Sequence, residues 1–249
     1  MEGDKWRLIG PERLAPELTL ALDEVMLKGV SEGGAPTLRF WTWSRCAVTL
    51  GSFQVASDEV YLDRCKEDGV PVLRRISGGG CMFHAPDKEV VYSMAVPSSE
   101  VPASITDSYA ALQAPVLKAL VDLGVRASVL DNSLMVGQGK VSGSSQRRIR
   151  GAVLHHGTLL LDVDRDEMFR YIKGDRAVKN GKGTPSNYRP VVPLGESADV
   201  GPEKLSAAVA RRFLEGKEHQ RSEWNMKELG AAHGLVHDKY ATDEWNLRL

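Results

Sequence analysis

The sequence predicts an α+β fold, a mixed and largely antiparallel sheet flanked by helices. Three observations carry that expectation. Strand-like runs are scattered along the chain with helices between them, yet few regular βαβ units can be traced. Residues 140–147 and 152–162 read as two strands joined at Arg148-Ile149-Arg150-Gly151, a hairpin. At 249 residues the chain can bury a full core, and one domain over 1–249 is the simplest organisation.

The elements follow in order. Pro16-Glu17 opens a helix, with proline suited to the first turn and glutamate to the positive end of the dipole. Leu18, Ala21, Leu22, Val25 and Met26 repeat at helical spacing, and Gly29 offers the stop. Residues 38–43 and 47–50 read as strands, 58–68 as a short charged helix, and 70–76 as a buried strand. Val90, Tyr92, Met94 and Val96 alternate along the next strand. Residues 106–123 are helical, with Pro115 expected to kink or split the helix. Residues 179–185 form the clearest loop, and 202–214 and 226–240 are the last helices of a C-terminal helical segment, about 201–249.

Composition excludes several classes. With 32 basic and 33 acidic residues there is no sign of a nucleic-acid stripe. The N-terminus lacks a signal peptide, and no apolar run approaches the roughly 18 residues of a membrane span. Cys46, Cys65 and Cys81 are odd in number and lack metal spacing, which points to reduced thiols and a cytoplasmic setting.

The most informative stretch is Arg74-Arg75-Ile76-Ser77-Gly78-Gly79-Gly80-Cys81-Met82-Phe83-His84. Three glycines after a strand free the backbone and bare successive N–H groups, as a phosphate cradle requires. Alternation puts the two arginines on opposite faces, so only one should reach an anion. A second segment, Gly139-Lys140-Val141-Ser142-Gly143-Ser144-Ser145-Gln146-Arg147, is followed by Leu154-His155-His156-Gly157-Thr158-Leu159-Leu160. With residues 38–54 and the closing Glu244-Trp245-Asn246, these blocks resemble the lipoate–protein ligase A family, within the biotin and lipoate protein ligase superfamily, over nearly the whole chain.

The resemblance implies a biotin/lipoyl ligase-like, class II synthetase-like catalytic domain. It also implies a two-step reaction: lipoate and ATP form lipoyl-adenylate, then a lysine of a lipoyl domain takes the acyl group. Both steps build negative charge, so the site needs fixed positive charge and N–H donors more than a general base. Lys140 matches the family lysine at the lipoyl carboxyl group and α-phosphate. Arg75 matches the nucleotide arginine, and Gly78, Gly79, Gly80, Cys81, Met82 and Phe83 match the stretch along the ATP. His84 and His156 are matched near the acyl-adenylate, and Val141, Gly143 and Leu159 are expected to line the acyl tunnel. Implied partners are lipoyl-domain acceptors, such as a 2-oxoacid dehydrogenase E2 or a glycine cleavage H protein. Because the Trp-Asn signature stands near the end of the sequence, a separate accessory subunit is also expected. The loop 179–190, with Lys179, Lys182 and Arg189, is expected to close over the adenylate.

The chain departs from that family in two places. Ala85-Pro86-Asp87-Lys88 replaces the usual residues after the histidine, and Asp131-Asn132-Ser133 displaces the acid that sits near Mg2+. Asp131 is therefore the candidate magnesium ligand, unless phosphates hold the ion. The competing reading is an octanoyl or lipoyl transferase acting without ATP through a cysteine. The two places where such a cysteine stands read Ala127-Ser128-Val129-Leu130 and Arg150-Gly151-Ala152-Val153 here, neither with Cys. A transferase would therefore lack its activated nucleophile, and the ATP-dependent ligase is the expected activity. Cys81 is expected to pack rather than react. A third reading is a non-catalytic lipoate-binding assembly factor on the same fold.

Overall fold

The computed structural model describes residues 5–177 and 182–249. In chain order it contains β1 (Trp6–Leu14), α1 (Pro16–Ser31), β2 (Thr37–Trp43), β3 (Ala47–Leu50), α2 (Ala56–Glu59), α3 (Leu62–Glu67), β4 (Val72–Arg74) and β5 (Met82–His84). There follow β6 (Glu89–Pro97), α4 (Ile105–Asp122), β7 (Ser128–Leu130), β8 (Ser133–Val136), β9 (Gly139–Ile149), β10 (Ala152–Leu160) and α5 (Arg165–Tyr171). The chain closes with α6 (Pro202–Phe213), β11 (His219–Arg221), α7 (Met226–Leu235) and α8 (Asp243–Asn246).

Among the described residues, eight strands form one sheet in the order β11-β1-β2-β6-β10-β9-β8-β7, and β4-β3-β5 form a second. The large sheet is parallel only where β1 meets β11 and β2, and antiparallel elsewhere. This is the mixed, largely antiparallel α+β architecture expected. Its middle strands bury both faces, so they read as near-continuous apolar runs.

On one face Phe40, Tyr92, Met94, Val153 and Leu159 pack with Leu112, Val116 and Leu120 of α4 and Leu205 and Phe213 of α6. On the other, Trp41 and Val91 meet Leu20, Ala21 and Leu22 of α1 and Ala232 of α7. At roughly 1.5 to 3 kcal/mol for each large apolar side chain fully removed from water, these two layers hold the sheet in place.

Several boundaries differ from expectation. The helix over 58–68 is two pieces, because Val60 leaves it to bridge to Ile172. The strand over 70–76 shrinks to β4, which places Arg75 just beyond the ladder. Pro115 does not split α4, which runs unbroken for 18 residues. Its contacts with α6 and the sheet outweigh the one backbone bond that proline removes. The C-terminal segment carries β11 as well as helices, and past α7 the chain continues as a wider π turn, Val236–Tyr240. β1 escaped the sequence reading because Gly10-Pro11 interrupts it with a register shift between Ile9 and Glu12.

Candidate active site

The small sheet leans over the α1-side face of the large sheet, and between them lies a cavity of about 320 Å³. That is at the low end of small-molecule sites. Trp41, Trp43, Val91, Met82, Phe83 and Leu160 give it apolar walls. Lys140, Arg75 and Arg189 also line it, while Asn132, Ser144 and Ser145 add polar groups.

Lys140 and Gly143 are three residues apart, so strict alternation would put them on opposite faces of β9. A bulge prevents this. Met135 pairs with Lys140 but Leu134 pairs with Ser142, which leaves Val141 as the extra residue. Lys140 therefore shares the cavity face with Gly143, and its side chain lies across it. A Cβ on Gly143 would stand 2.6 Å from the Lys140 Nζ and 2.7 Å from Cε. Among the described residues no carboxylate pairs with Lys140. Burial, then the nearby charges of Arg189 and Arg75, pull its pKa down to about 8.

Arg75 is buried and braces the glycine loop from within. Its Nη1 donates to Thr49 Oγ1 at 2.6 Å, and its Nη2 donates to the carbonyls of Gly78 and Gly80 at 3.0 and 2.9 Å. Gly79 needs its glycine, with φ at +89°, but Gly78 has room for a Cβ and contributes only its carbonyl. Burial lowers the Arg75 pKa to about 10. Arg74 points the other way, as alternation requires. It is buried and donates to the carbonyls of Gly51, Gln54 and Asn246.

The histidines are committed inside the protein. His84 contacts Glu89 at 2.6 Å and Thr49 at 2.8 Å, and stacks on Trp43 with centroids 4.1 Å apart. His156 contacts Asp23 at 3.0 Å and Ser77 at 2.7 Å. Both border the cavity, but both ring nitrogens of each are already engaged. His155 lies on the opposite face beside Tyr92, where burial and then His156 push its pKa down to about 3 and keep the ring neutral.

Two of the expected tunnel residues are not in the tunnel. Val141 and Leu159 pack into the core on the α4 side, because the bulge and the register of β10 turn them away. Gly143, the third, does line the cavity, with Thr158 and Leu160 in place of the other two. Asp131 also stands outside the cavity lining. Its mainly exposed carboxylate accepts from Arg189 at 2.6 Å, while Asn132 faces in.

The acids that do border the cavity include Glu59, held by Ser186, Glu89, held by His84, and Asp162, paired with Lys88. Among the described residues no cluster of three or more His, Cys, Asp or Glu could hold a metal. The residues present do not fit a protein-built magnesium site.

Cys81 borders the cavity as a free thiol. Burial, then the negative charge of Glu59, pushes its pKa far up, against a smaller pull from Arg75. The loop that follows α5 is docked rather than open in its described part, and Lys179 lies outside the described residues. Ser186 donates from N and Oγ to Glu59 and accepts from the Cys81 N–H, while Thr184 N donates to the Phe53 carbonyl. Sequence reasoning missed Glu59 and Ser186. The only available signal was an acid in a short amphipathic stretch, and its partner lies 127 residues away.

Comparison with known proteins agrees with this geometry. The model of the lipoyl protein ligase A/B catalytic domain matches residues 15–214. The chain is 31% identical to octanoyltransferase LipM of Brevibacillus brevis, over 98% of this chain and 99% of that one. It is 28% identical to LipM of Bacillus subtilis over the whole of both. Among solved structures it resembles a lipoate-protein ligase A bound with ATP, at 27% identity, a TM-score of 0.84 and 99% of both chains. A bi-partite lipoate protein ligase from Thermoplasma acidophilum, described with its E2 lipoyl domain, is also 27% identical, with a TM-score of 0.81. It is matched over 99% of this chain and 96% of that one. The chain belongs to the lipoyl protein ligase A/B catalytic domain family.

Proposed function

We propose that this protein transfers an octanoyl or lipoyl group onto a lysine of lipoyl-domain proteins. The observation that carries the reading is the Lys140 ammonium, without a carboxylate partner among the described residues, lying across Gly143 in a largely apolar cavity with Arg75 and Arg189 beside it. Three cations around a small cavity suit an oxyanion, and the apolar walls suit an acyl chain.

The donor we favour is an octanoyl thioester on a carrier protein, used without ATP, because the relatives matched end to end are octanoyltransferases. The acceptor lysine amine attacks the thioester carbonyl, a C–N bond forms, and the C–S bond breaks. The amine proton leaves with the carrier's thiolate, and Lys140 steadies the oxyanion between. The second reading, lipoate activated by ATP, is favoured by the glycine loop beside three cations and by the ATP complex of a neighbour. In that case a separate accessory subunit, as the bi-partite neighbour suggests, would assist the adenylation.

The deciding assay offers the purified protein an apo lipoyl domain with octanoyl carrier protein, or with lipoate and ATP. Modification from the thioester alone supports the first reading. Lipoate-dependent exchange of pyrophosphate into ATP supports the second, and neither product would sink both.

Cys81 is expected to carry no acyl group. Burial and the negative charge of Glu59 raise its thiol pKa far enough, against the smaller pull of Arg75, to keep the nucleophilic thiolate scarce. Cys81→Ser is expected to retain transfer within about threefold, and the intact mass of wild type is expected to show no octanoyl adduct. An adduct on Cys81 would contradict this.

Gly143→Ala is expected to slow transfer on the order of 100-fold, because the new Cβ displaces the Lys140 ammonium by an ångström or more. The clash falls on the end of a flexible side chain, so thermal stability is expected to change little. A variant with wild-type turnover would mean that Lys140 does not act from this position.

A further inference from the structure

We infer that two buried carboxylate–histidine–hydroxyl relays, Glu89–His84–Thr49 and Asp23–His156–Ser77, are positioning devices that hold Arg75 and the glycine loop against Lys140. The inference rests on the acyl-transfer reading of that cavity and deepens it. All six residues are less than a tenth exposed.

In the first relay the Glu89 carboxylate lies 2.6 Å from His84 Nδ1, and His84 Nε2 lies 2.8 Å from Thr49 Oγ1. Arg75 Nη1 then reaches Thr49 Oγ1 at 2.6 Å. Arginine only donates, so the Thr49 oxygen accepts from it, and the hydroxyl proton has His84 Nε2 as its partner. That makes Nε2 an acceptor and leaves the ring proton on Nδ1, donated to Glu89. The guanidinium is thus held through Nη1, with Nη2 left for the Gly78 and Gly80 carbonyls.

The second relay grips the other end of the same loop. The Asp23 carboxylate is anchored by Arg39 at 3.2 Å and by Ser93 at 2.9 Å, and it takes His156 Nδ1 at 3.0 Å. His156 Nε2 meets Ser77 Oγ at 2.7 Å, and the Ser77 carbonyl accepts from Ser52 N. The order resembles a hydrolase triad. However, Ser77 is wholly buried and does not line the cavity, so no substrate carbonyl reaches its oxygen. Its hydroxyl ties the start of the loop to β10. The two relays end on Arg75 and Ser77, two residues apart. A loop rich in glycine has little stiffness of its own, and these side chains supply it.

Two measurements on the full chain test this. Long-range 1H–15N spectra at pH 7, assigned through the neighbours Trp43 and Ser77, are expected to show both rings protonated at Nδ1 and bare at Nε2. A proton on Nε2 of either ring overturns the relay. In transfer to a lipoyl domain, Thr49→Val is expected to lower kcat about 10- to 100-fold with KM for the acceptor within about threefold, and Thr49→Ser to restore it. Should Thr49→Val fail to fold, Ser77→Ala with Ser77→Thr as its rescue takes its place. Wild-type kcat in the first variant, or no rescue by the second, overturns the proposal. Absence of transfer by wild type from either donor would sink the activity itself, and the tautomers would still decide the relays.

Discussion

Replacing Lys140 with Met is expected to abolish acyl transfer and make the protein more stable. Removal of a preorganised charge that meets developing negative charge typically costs about 100- to 1000-fold in kcat. Stability moves the other way, because the ammonium sits part-buried, beside two arginines, with no carboxylate partner among the described residues. Its folded pKa of about 8 lies below its ordinary 10.5, so folding holds the charged form at a cost. Because the ammonium is only half-buried, solvent screening reduces that cost to roughly 2 kcal/mol, equivalent to a rise of about 4 to 8 °C in Tm at pH 7.

Two pH signatures follow from the same shift. Between pH 8 and 10.5 the unfolded chain holds a proton that the folded one has lost. Wild-type stability is therefore expected to rise with pH across that window, and the Met variant to lack the rise. If the cation is the active form, kcat/KM of the wild type falls as pH climbs through about 8. Calorimetry and a pH–rate profile on the two proteins check this. A Met variant that is both active and less stable would remove Lys140 from its assigned role.

Replacing Arg74 with Met is expected to destabilise the fold by about 3 to 5 kcal/mol, the largest stability effect outside the apolar core. The buried guanidinium donates to the carbonyls of Gly51 and Gln54 on one side and of Trp245 and Asn246 on the other. Asn246 Oδ1 accepts from the Arg74 backbone, and the Trp245 indole donates to the Arg74 carbonyl. A methionine fills the volume but leaves these carbonyls without a donor in a water-excluded place. The C-terminal residues would then lose their anchor to β4, which ends three residues before Ser77 at the start of the glycine loop. Denaturant unfolding measures the loss. Lysine in place of methionine is expected to recover only part of it, because one ammonium cannot reach acceptors on both sides. Full stability in the Met variant would mean that the carbonyls find other donors.

Fold class and family were legible in the chain alone, and so was the presence of Lys140, Arg75, His84 and His156 at one place, whereas Glu59 and Ser186 were not. Short-range patterns carry each of these. Triple glycine after a strand, Gly139-Lys140-Val141-Ser142-Gly143, and the spacing of apolar residues in α1 and α4 are local signals, and local signals survive in one dimension. The opposite roles of Arg74 and Arg75 were legible for the same reason, since alternation along a strand needs no knowledge of the partner.

Which atoms face the cavity was settled by packing and strand register instead. A single bulge at Val141 brings Lys140 onto the face of Gly143 and sends Val141 into the core, a one-residue slip that reverses sides, while the register of β10 turns Leu159 the same way. It also decided what His84, His156 and Asp131 do, because their partners lie up to 133 residues away or on a different element. A histidine in a sequence looks the same whether its nitrogens are free for a substrate or already spent on Glu89 and Asp23. Hydrogen-bond partners are a property of packing, and packing is set by the two core layers rather than by neighbours in the chain.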